Sequence, residues 1–280
     1  MTGVWKRLFL PGVSSAVRVL GLACLICTLA CGEDRVVPNP GGVAMNQLVL
    51  TGGNACGPAA MITAFRMGDR NWQRVSDGLA GATEKERLWS VIRERGMRPS
   101  QHLNGRMRWT RAGVNVVDLT DMANEMAAGH SLPGIRNEVL FLKAREDHEE
   151  LLRRALSRMA TSMGKGLPPV ISLRRFALRG KGEAADWQLM DAHFVTVISV
   201  PKKVERGARS FAVSYVDPWG GKRGKGVIAI SDKAFLAGAS RDPGASPCLE
   251  ALFPDAAVGK KLVRPGEATV LTLAAVVGRW

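Results

Sequence analysis

At PPVISL, residues 168–173, the hydrophobic pattern of the chain changes. Before it, apolar residues recur at helical spacing, and after it β-branched and aromatic runs alternate with turn residues. Helices followed by strands predict an α+β domain, with a helical N-terminal lobe packed on a mostly antiparallel β-sheet, rather than an alternating βα fold. Strands are expected at 170–173, 194–200, 211–216, 227–230 and 269–277.

Helix signals dominate the segment before residue 168. Thr83 followed by Glu86 has the capping-box pattern ahead of an apolar run, and Gly96 can end that helix. Residues 147–163 carry apolar side chains on one helical face, and another helix is expected from about Cys56 to Gly68. Loops are expected at 184–190, at 202–209 and around Lys222, Arg223 and Lys225.

Composition indicates a globular protein with a strong positive charge. The 280 residues are 46% hydrophobic and 23% charged, and 39 Lys and Arg against 25 Asp and Glu leave a net charge of +14. This charge favours anionic partners such as membrane headgroups, polyanions or acidic peptides. Nucleic-acid binding is not favoured, because the basic residues are scattered and no aromatic-interleaved strand motif is present. No phosphate-binding Gly-rich loop and no zinc-binding His-Glu-x-x-His pair occurs, so neither a cofactor nor a metal is expected.

The N-terminus has the pattern of an export signal. Lys6, Arg7 and Arg18 precede an apolar run at 19–30, and no acidic residue occurs before Glu33. The run is about a dozen residues long, whereas a membrane-spanning helix needs about twenty. We therefore assign residues 1–30 to an export signal.

A lipid anchor is expected at Cys31. The sequence TLACG at 28–32 resembles the bacterial lipobox, in which the cysteine is lipidated and becomes the new N-terminus. A plain cleaved signal and an uncleaved anchor remain as alternatives. Residues 31–43 are rich in Pro and Gly and predict a tether to a domain at 44–280. We expect an exported, membrane-anchored lipoprotein, periplasmic or at the cell surface, and otherwise a secreted protein.

Cys56 is the candidate nucleophile. The sequence NACGPAA at 54–60 places its thiol at a predicted helix start, where free N–H groups and the helix dipole favour a thiolate. Two other interpretations are a buried structural cysteine and a disulfide with Cys248.

A thiol nucleophile needs a base, and the base needs an orienting group. His193 opens an apolar strand, whereas His102, His130 and His148 lie in loops or charged stretches and are expected to be solvated. Asp217 ends the following strand, so adjacent antiparallel strands would place it beside His193. The alternatives are a strand-end histidine bonded to nearby backbone and an ordinary Asp-Pro turn.

Four motifs occur in a characteristic order. They are NACGPAA at 54–60, PPVISL at 168–173, HFVTVI at 193–198 and VDPWG at 216–220. This order resembles the papain-like cysteine peptidases related to the bacteriocin double-glycine leader peptidases, over residues from about 45 to 231. The resemblance implies a papain-like fold with Cys56 as nucleophile, His193 as base and Asp217 as the orienting carboxylate.

The chain departs from that family at the oxyanion hole. The family usually has a Gln about six residues before the cysteine, which donates into the hole together with the cysteine amide. Here Gln47 lies nine residues before Cys56. Either residues 51–53 loop out and leave Gln47 in place, or Asn54 is the donor, or the hole is incomplete. The long insert at 96–163 is expected to shape substrate binding.

These features together predict an exported, membrane-tethered thiol hydrolase that cleaves peptide or protein substrates through an acyl-enzyme. A catalytically inactive papain-like binding or scaffolding module at the cell envelope is the alternative from a different class. A thiol amidase or acyltransferase would use the same chemistry on another substrate.

Overall fold

The computed structural model describes residues 34–50, 54–180, 186–231, 249–259 and 262–280. The predicted export signal, Cys31 and Cys248 lie outside these residues. None of the helices in the described ranges has the length and hydrophobicity that crossing a membrane requires.

Five α-helices occur within the described residues, and three of them lie where the sequence predicts helices. The capping box of the third helix is confirmed, since Thr83 Oγ1 accepts from the Glu86 amide at 3.2 Å and the Glu86 carboxylate accepts from the Thr83 amide at 3.1 Å. A π-helical turn at Ile92–Gly96 extends that helix to the predicted end. The helices are α1 Cys56–Met67, α2 Arg70–Asp77, α3 Glu84–Val91, α4 Val116–Ala127 and α5 His148–Gly164.

Ten strands occur in the same residues, and the five predicted ones lie within β5, β6, β7, β8 and β10. The strands are β1 Asp34–Val36, β2 Trp109–Thr110, β3 Gly113–Val114, β4 Arg136–Val139, β5 Val170–Arg179, β6 Asp186–Pro201, β7 Ser210–Asp217, β8 Lys222–Ile230, β9 Leu249–Leu252 and β10 Thr269–Gly278.

Six of these strands close into an antiparallel barrel. Their order is β6-β5-β10-β9-β8-β7, and β7 pairs again with β6. β1 adds to β6, β4 adds to β10, and β2 and β3 form a separate hairpin. The prediction of a papain-like helical lobe packed on an open sheet is therefore wrong. The short strand β9 was not predicted, and it completes the ring by pairing with both β8 and β10.

Three local expectations also differ from the structure. Asp34–Val36, expected in the tether, pairs with β6, and the neighbouring Val37 is a core residue. β6 begins at Asp186, so it includes most of the expected loop at 184–190. Lys222, Arg223 and Lys225 lie on β8 with exposed side chains rather than in a loop. In each case backbone pairing with a distant strand satisfies the polar groups, and local composition does not reveal such pairing.

Two clusters of buried apolar residues lie on either side of β5 and β6. Val195 belongs to the cluster shared by α5 and the barrel strands, whereas Phe194 belongs to the cluster built around α1. Successive side chains of a strand point to opposite faces, so the two central strands are covered on both sides. As a result α1, which begins with Cys56, packs directly against β6.

Substitutions in β9 test the closure of the barrel. Leu249 is fully buried, and Leu252 on the same strand is 51% exposed. We expect Leu249→Ala to lower the free energy of unfolding by about 2–5 kcal/mol, since it leaves a cavity in the core. Leu252→Ala should change it by less than about 0.5 kcal/mol. Urea denaturation measures both, and equal effects would contradict the placement of β9 in the barrel wall.

Candidate active site

Cys56 is a free cysteine at the first position of α1, and it is only 6% exposed. A disulfide is therefore not its role in this structure. The N-cap residue, Ala55, provides no side-chain hydrogen bond to the helix start. The first N–H groups of a helix have no partner within the helix, so they are available to stabilise negative charge beside the thiol.

Close packing fixes the start of α1. A Cβ placed on Gly57 would lie 2.5 Å from Val114 Cγ1 and 3.3 Å from Phe194 Cδ2, so glycine is required for this approach. One turn further, the Thr196 hydroxyl donates to the Ala60 carbonyl at 2.7 Å in a buried environment. Both contacts hold the thiol-bearing end of the helix against β6 and the β2–β3 hairpin.

His193 and Asp217 form a buried hydrogen-bonded pair. His193 Nε2 lies 2.7 Å from Asp217 Oδ1, and the two residues are 4% and 3% exposed. They meet because β6 and β7 are antiparallel neighbours, with Thr196 opposite Val216. Continuing this register makes His193 and Asp217 diagonal neighbours, within reach of an aromatic ring.

Two backbone amides hold the Asp217 carboxylate. Trp219 N donates to Oδ1 at 2.8 Å, and Ala257 N donates to Oδ2 at 2.9 Å. Burial alone would raise the pKa of Asp217, but the hydrogen bond and charge of His193 and these two amides lower it. The carboxylate is thereby kept ionised and oriented toward the imidazole.

The surroundings of His193 favour its protonated form. Burial lowers the pKa of His193, yet the hydrogen bond that the imidazole donates to Asp217 and the interactions with Asp217 and Cys56 raise it overall from 6.5 to about 10. Asp217 occupies Nε2, so Nδ1 is the ring nitrogen that remains for the Cys56 sulfur. Asp217 and Cys56 therefore both favour the imidazolium form of His193.

The two candidate oxyanion donors occupy different environments. Gln47 is 3% exposed, and its backbone N–H donates to the Pro218 carbonyl at 2.9 Å, beside the Asp217 turn. Met45 N donates to Thr63 Oγ1 of α1 at 2.9 Å, so this segment bridges the nucleophile helix and that turn. Gln47 Oε1 is buried without a partner among the described residues. Asn54 is exposed, and its side-chain amide donates to the Arg111 carbonyl at 3.2 Å.

The β2–β3 hairpin from the long insert packs beside the nucleophile. Trp109 Nε1 donates to the Asn54 carbonyl at 2.9 Å, which adds to the contact of Asn54 with Arg111 and of Val114 with Gly57. Sequence reasoning did not single out Trp109 or Val114, because strands of two residues leave no periodic signal. It also missed Ala257, which acts only through its backbone amide.

Among the described residues, three side chains lie close enough together to hold a metal ion. The possible ligand atoms of His102, Asp118 and Asp121 lie within 4.8 Å of one another. The buried Asp118 already accepts hydrogen bonds from Ser100 Oγ at 2.8 Å and from the Asn115 side chain. These contacts attach the loop around residue 100 to α4. His102 is exposed, as expected, and it also pairs with Asp121 at 2.9 Å.

The pH dependence of stability tests the His193–Asp217 pair. The pKa of His193 in the folded state lies above the 6.5 of the unfolded chain, so its stabilisation is fully present below pH 6.5 and is lost as pH rises to about 10. We expect Asp217→Asn to lower the free energy of unfolding by about 3–5 kcal/mol at pH 6, because it leaves a buried charge uncompensated. The difference from wild type should shrink steadily toward pH 10.

A surface ion pair provides the matched control for this experiment. Glu149 and Arg153 lie 3.1 Å apart and are both about two-fifths exposed. Glu149→Gln should cost less than about 0.5 kcal/mol at any pH in this range. A constant penalty for Asp217→Asn between pH 6 and 10 would contradict a protonated His193 in the folded protein.

The chain matches no protein-family model, no curated protein and no solved structure. The assignment of function therefore rests on the geometry of Cys56, His193 and Asp217.

Proposed function

We propose that the protein is an exported, membrane-tethered cysteine hydrolase that cleaves peptide bonds with a Cys56-His193-Asp217 triad. The observation that carries this proposal is the buried imidazole of His193, which is hydrogen-bonded to Asp217 and whose pKa is raised by both Asp217 and Cys56. A nucleophile, a base and an orienting group in series are the requirements of acyl-transfer catalysis. The resemblance of the ordered motifs to cysteine peptidases supports the same chemistry.

The geometry supports a two-step reaction. His193 holds the proton of the Cys56 thiol, and the sulfur attacks the carbonyl carbon of the substrate amide. His193 then gives its proton to the leaving amine as the C–N bond breaks, which leaves a thioester on Cys56. A water molecule attacks the thioester while His193 accepts its proton, and the carboxylic acid and the free thiol are released. Asp217 holds the imidazole orientation throughout.

Gln47 is the favoured side-chain donor to the oxyanion, acting together with the Cys56 amide. It is buried and anchored between α1 and the Asp217 turn, as an oxyanion donor must be. Asn54 is exposed and already donates to the β2–β3 hairpin. Its role in this proposal is to hold that hairpin in place beside Cys56.

The export and anchoring part of the proposal is supported by the sequence pattern at residues 1–31. Basic residues, an apolar run and the TLACG motif follow one another in the order of a lipoprotein signal. If the Cys31→Ala variant accumulates as the unprocessed precursor, this result would support lipidation at Cys31.

Cleavage of a broad peptide library, with new termini identified by mass spectrometry, tests the proposed reaction. We expect wild-type protein to cut a subset of peptides and Cys56→Ala to cut none. Gln47→Ala should reduce kcat/KM by about 10²- to 10³-fold, the usual cost of one oxyanion donor. Asn54→Ala is the matched side-chain amide control and should cost less than about tenfold.

Several outcomes would contradict the proposal. Cleavage that survives Cys56→Ala would assign the activity to another group or a contaminant. Tight binding of peptides without cleavage or a trapped thioester would favour the binding-module alternative. Transfer of the acyl group to added amines in preference to water would favour an acyltransferase.

A further inference from the structure

A basic pocket of about 380 Å³ lies away from the triad, between β1, α5 and the loop that follows β6. Four of the side chains that line it are cationic at neutral pH: Arg35, Arg153, Lys202 and Lys203. They come from three separate parts of the chain, so the fold rather than a local sequence run assembles this cluster.

Hydrogen bonds and packing fix the walls of the pocket. Arg35 Nη1 donates to the Ala160 carbonyl of α5 at 2.9 Å. Val204 packs against the buried cluster of the barrel and so anchors the loop that carries the exposed Lys202 and Lys203. Arg153 is also exposed, at the rim formed by α5.

The segments that line the pocket carry more basic than acidic residues. Glu149 pairs with Arg153 at 3.1 Å, and the Asp34 carboxylate accepts from Ser199 Oγ at 3.0 Å. Glu205 follows in the same loop, which also contains Arg206 and Arg209. The surface therefore keeps a positive excess that favours an anion.

The place of the pocket in the sequence indicates which kind of anion it binds. Arg35 lies four residues after Cys31, the proposed lipidation site. Four residues extend over at most about 14 Å, so a lipid on Cys31 would keep Arg35 close to the bilayer surface. A tether of this length lets the pocket approach the bilayer within about 8 Å, the screening length in physiological salt, where its positive charge attracts anionic headgroups.

We propose that this pocket docks the phosphate headgroups of anionic phospholipids and so orients the domain on the membrane. Guanidinium groups such as that of Arg35 bind phosphate oxygens with paired N–H donors, and the lysines contribute point charges. This docking is independent of the hydrolase reaction, so Cys56→Ala should bind vesicles as wild type does.

Vesicle binding by the full chain tests the proposal. Vesicles of phosphatidylcholine alone are compared with vesicles that also contain phosphatidylglycerol, and the ratio of the two partition coefficients is the readout. Residues 1–31 are the same in all variants, so their contribution to vesicle binding cancels in this comparison. We expect the double variant Lys202→Gln/Lys203→Gln to lower the preference for anionic vesicles by about 25-fold, or about fivefold for each basic residue near the surface.

A charge-matched variant distinguishes the pocket from net charge. Lys85 and Arg106 are exposed and lie outside the pocket. Lys85→Gln/Arg106→Gln removes the same charge and should change the preference by less than about twofold, since distant charges are screened. Equal losses in the two double variants would overturn the proposal. Binding to RNA or to inorganic phosphate without a preference for anionic vesicles would overturn it as well.

Discussion

The hydrogen bond between His193 and Asp217 depends on the pairing of β6 with β7, and the same pairing closes the barrel. At 2.7 Å, and almost completely buried, it joins two groups that would be costly to bury alone. The Trp219 and Ala257 amides satisfy the carboxylate further, and Cys56 with Asp217 raises the pKa of the imidazole. Loss of any member would leave a charged or polar group without compensation in a water-poor site.

Strand β6 contacts α1, carries the candidate base and pairs with β1. It holds α1 through Thr196, carries His193, and pairs near its end with β1, where Pro201 lies opposite Asp34. His193 and Pro201 are eight residues apart, which corresponds to roughly 26 Å along a strand. The proposed membrane surface is therefore well separated along the strand from the triad. This separation suits a substrate that extends from the bilayer or is soluble, rather than a lipid.

The sequence predicted the pairing of His193 with Asp217 but not the closure of the barrel. Cys56 precedes a Gly-Pro pair and begins α1 as expected, and the predicted strands lie within longer observed ones. Side-chain periodicity reports which face of a strand is buried, but not which strand lies beside it. The four-residue β9 and three-residue β1 were therefore missed, although one completes the ring and the other extends β6. The environment of Gln47 depends on a hydrogen bond to Pro218, which no spacing along the chain could reveal.

The alkylation rate of Cys56 tests, without knowledge of the substrate, whether His193 held by Asp217 activates this thiol. The rate with iodoacetamide is measured at pH 6 to 7 by mass spectrometry of the peptide that contains Cys56, relative to glutathione in the same solution. We expect Cys56 to react faster than glutathione and His193→Ala to abolish most of this advantage, because the thiolate is the reactive form and the imidazolium stabilises it. A rate that does not exceed that of glutathione in the folded protein, or a fast rate that His193→Ala leaves unchanged, would contradict this activation.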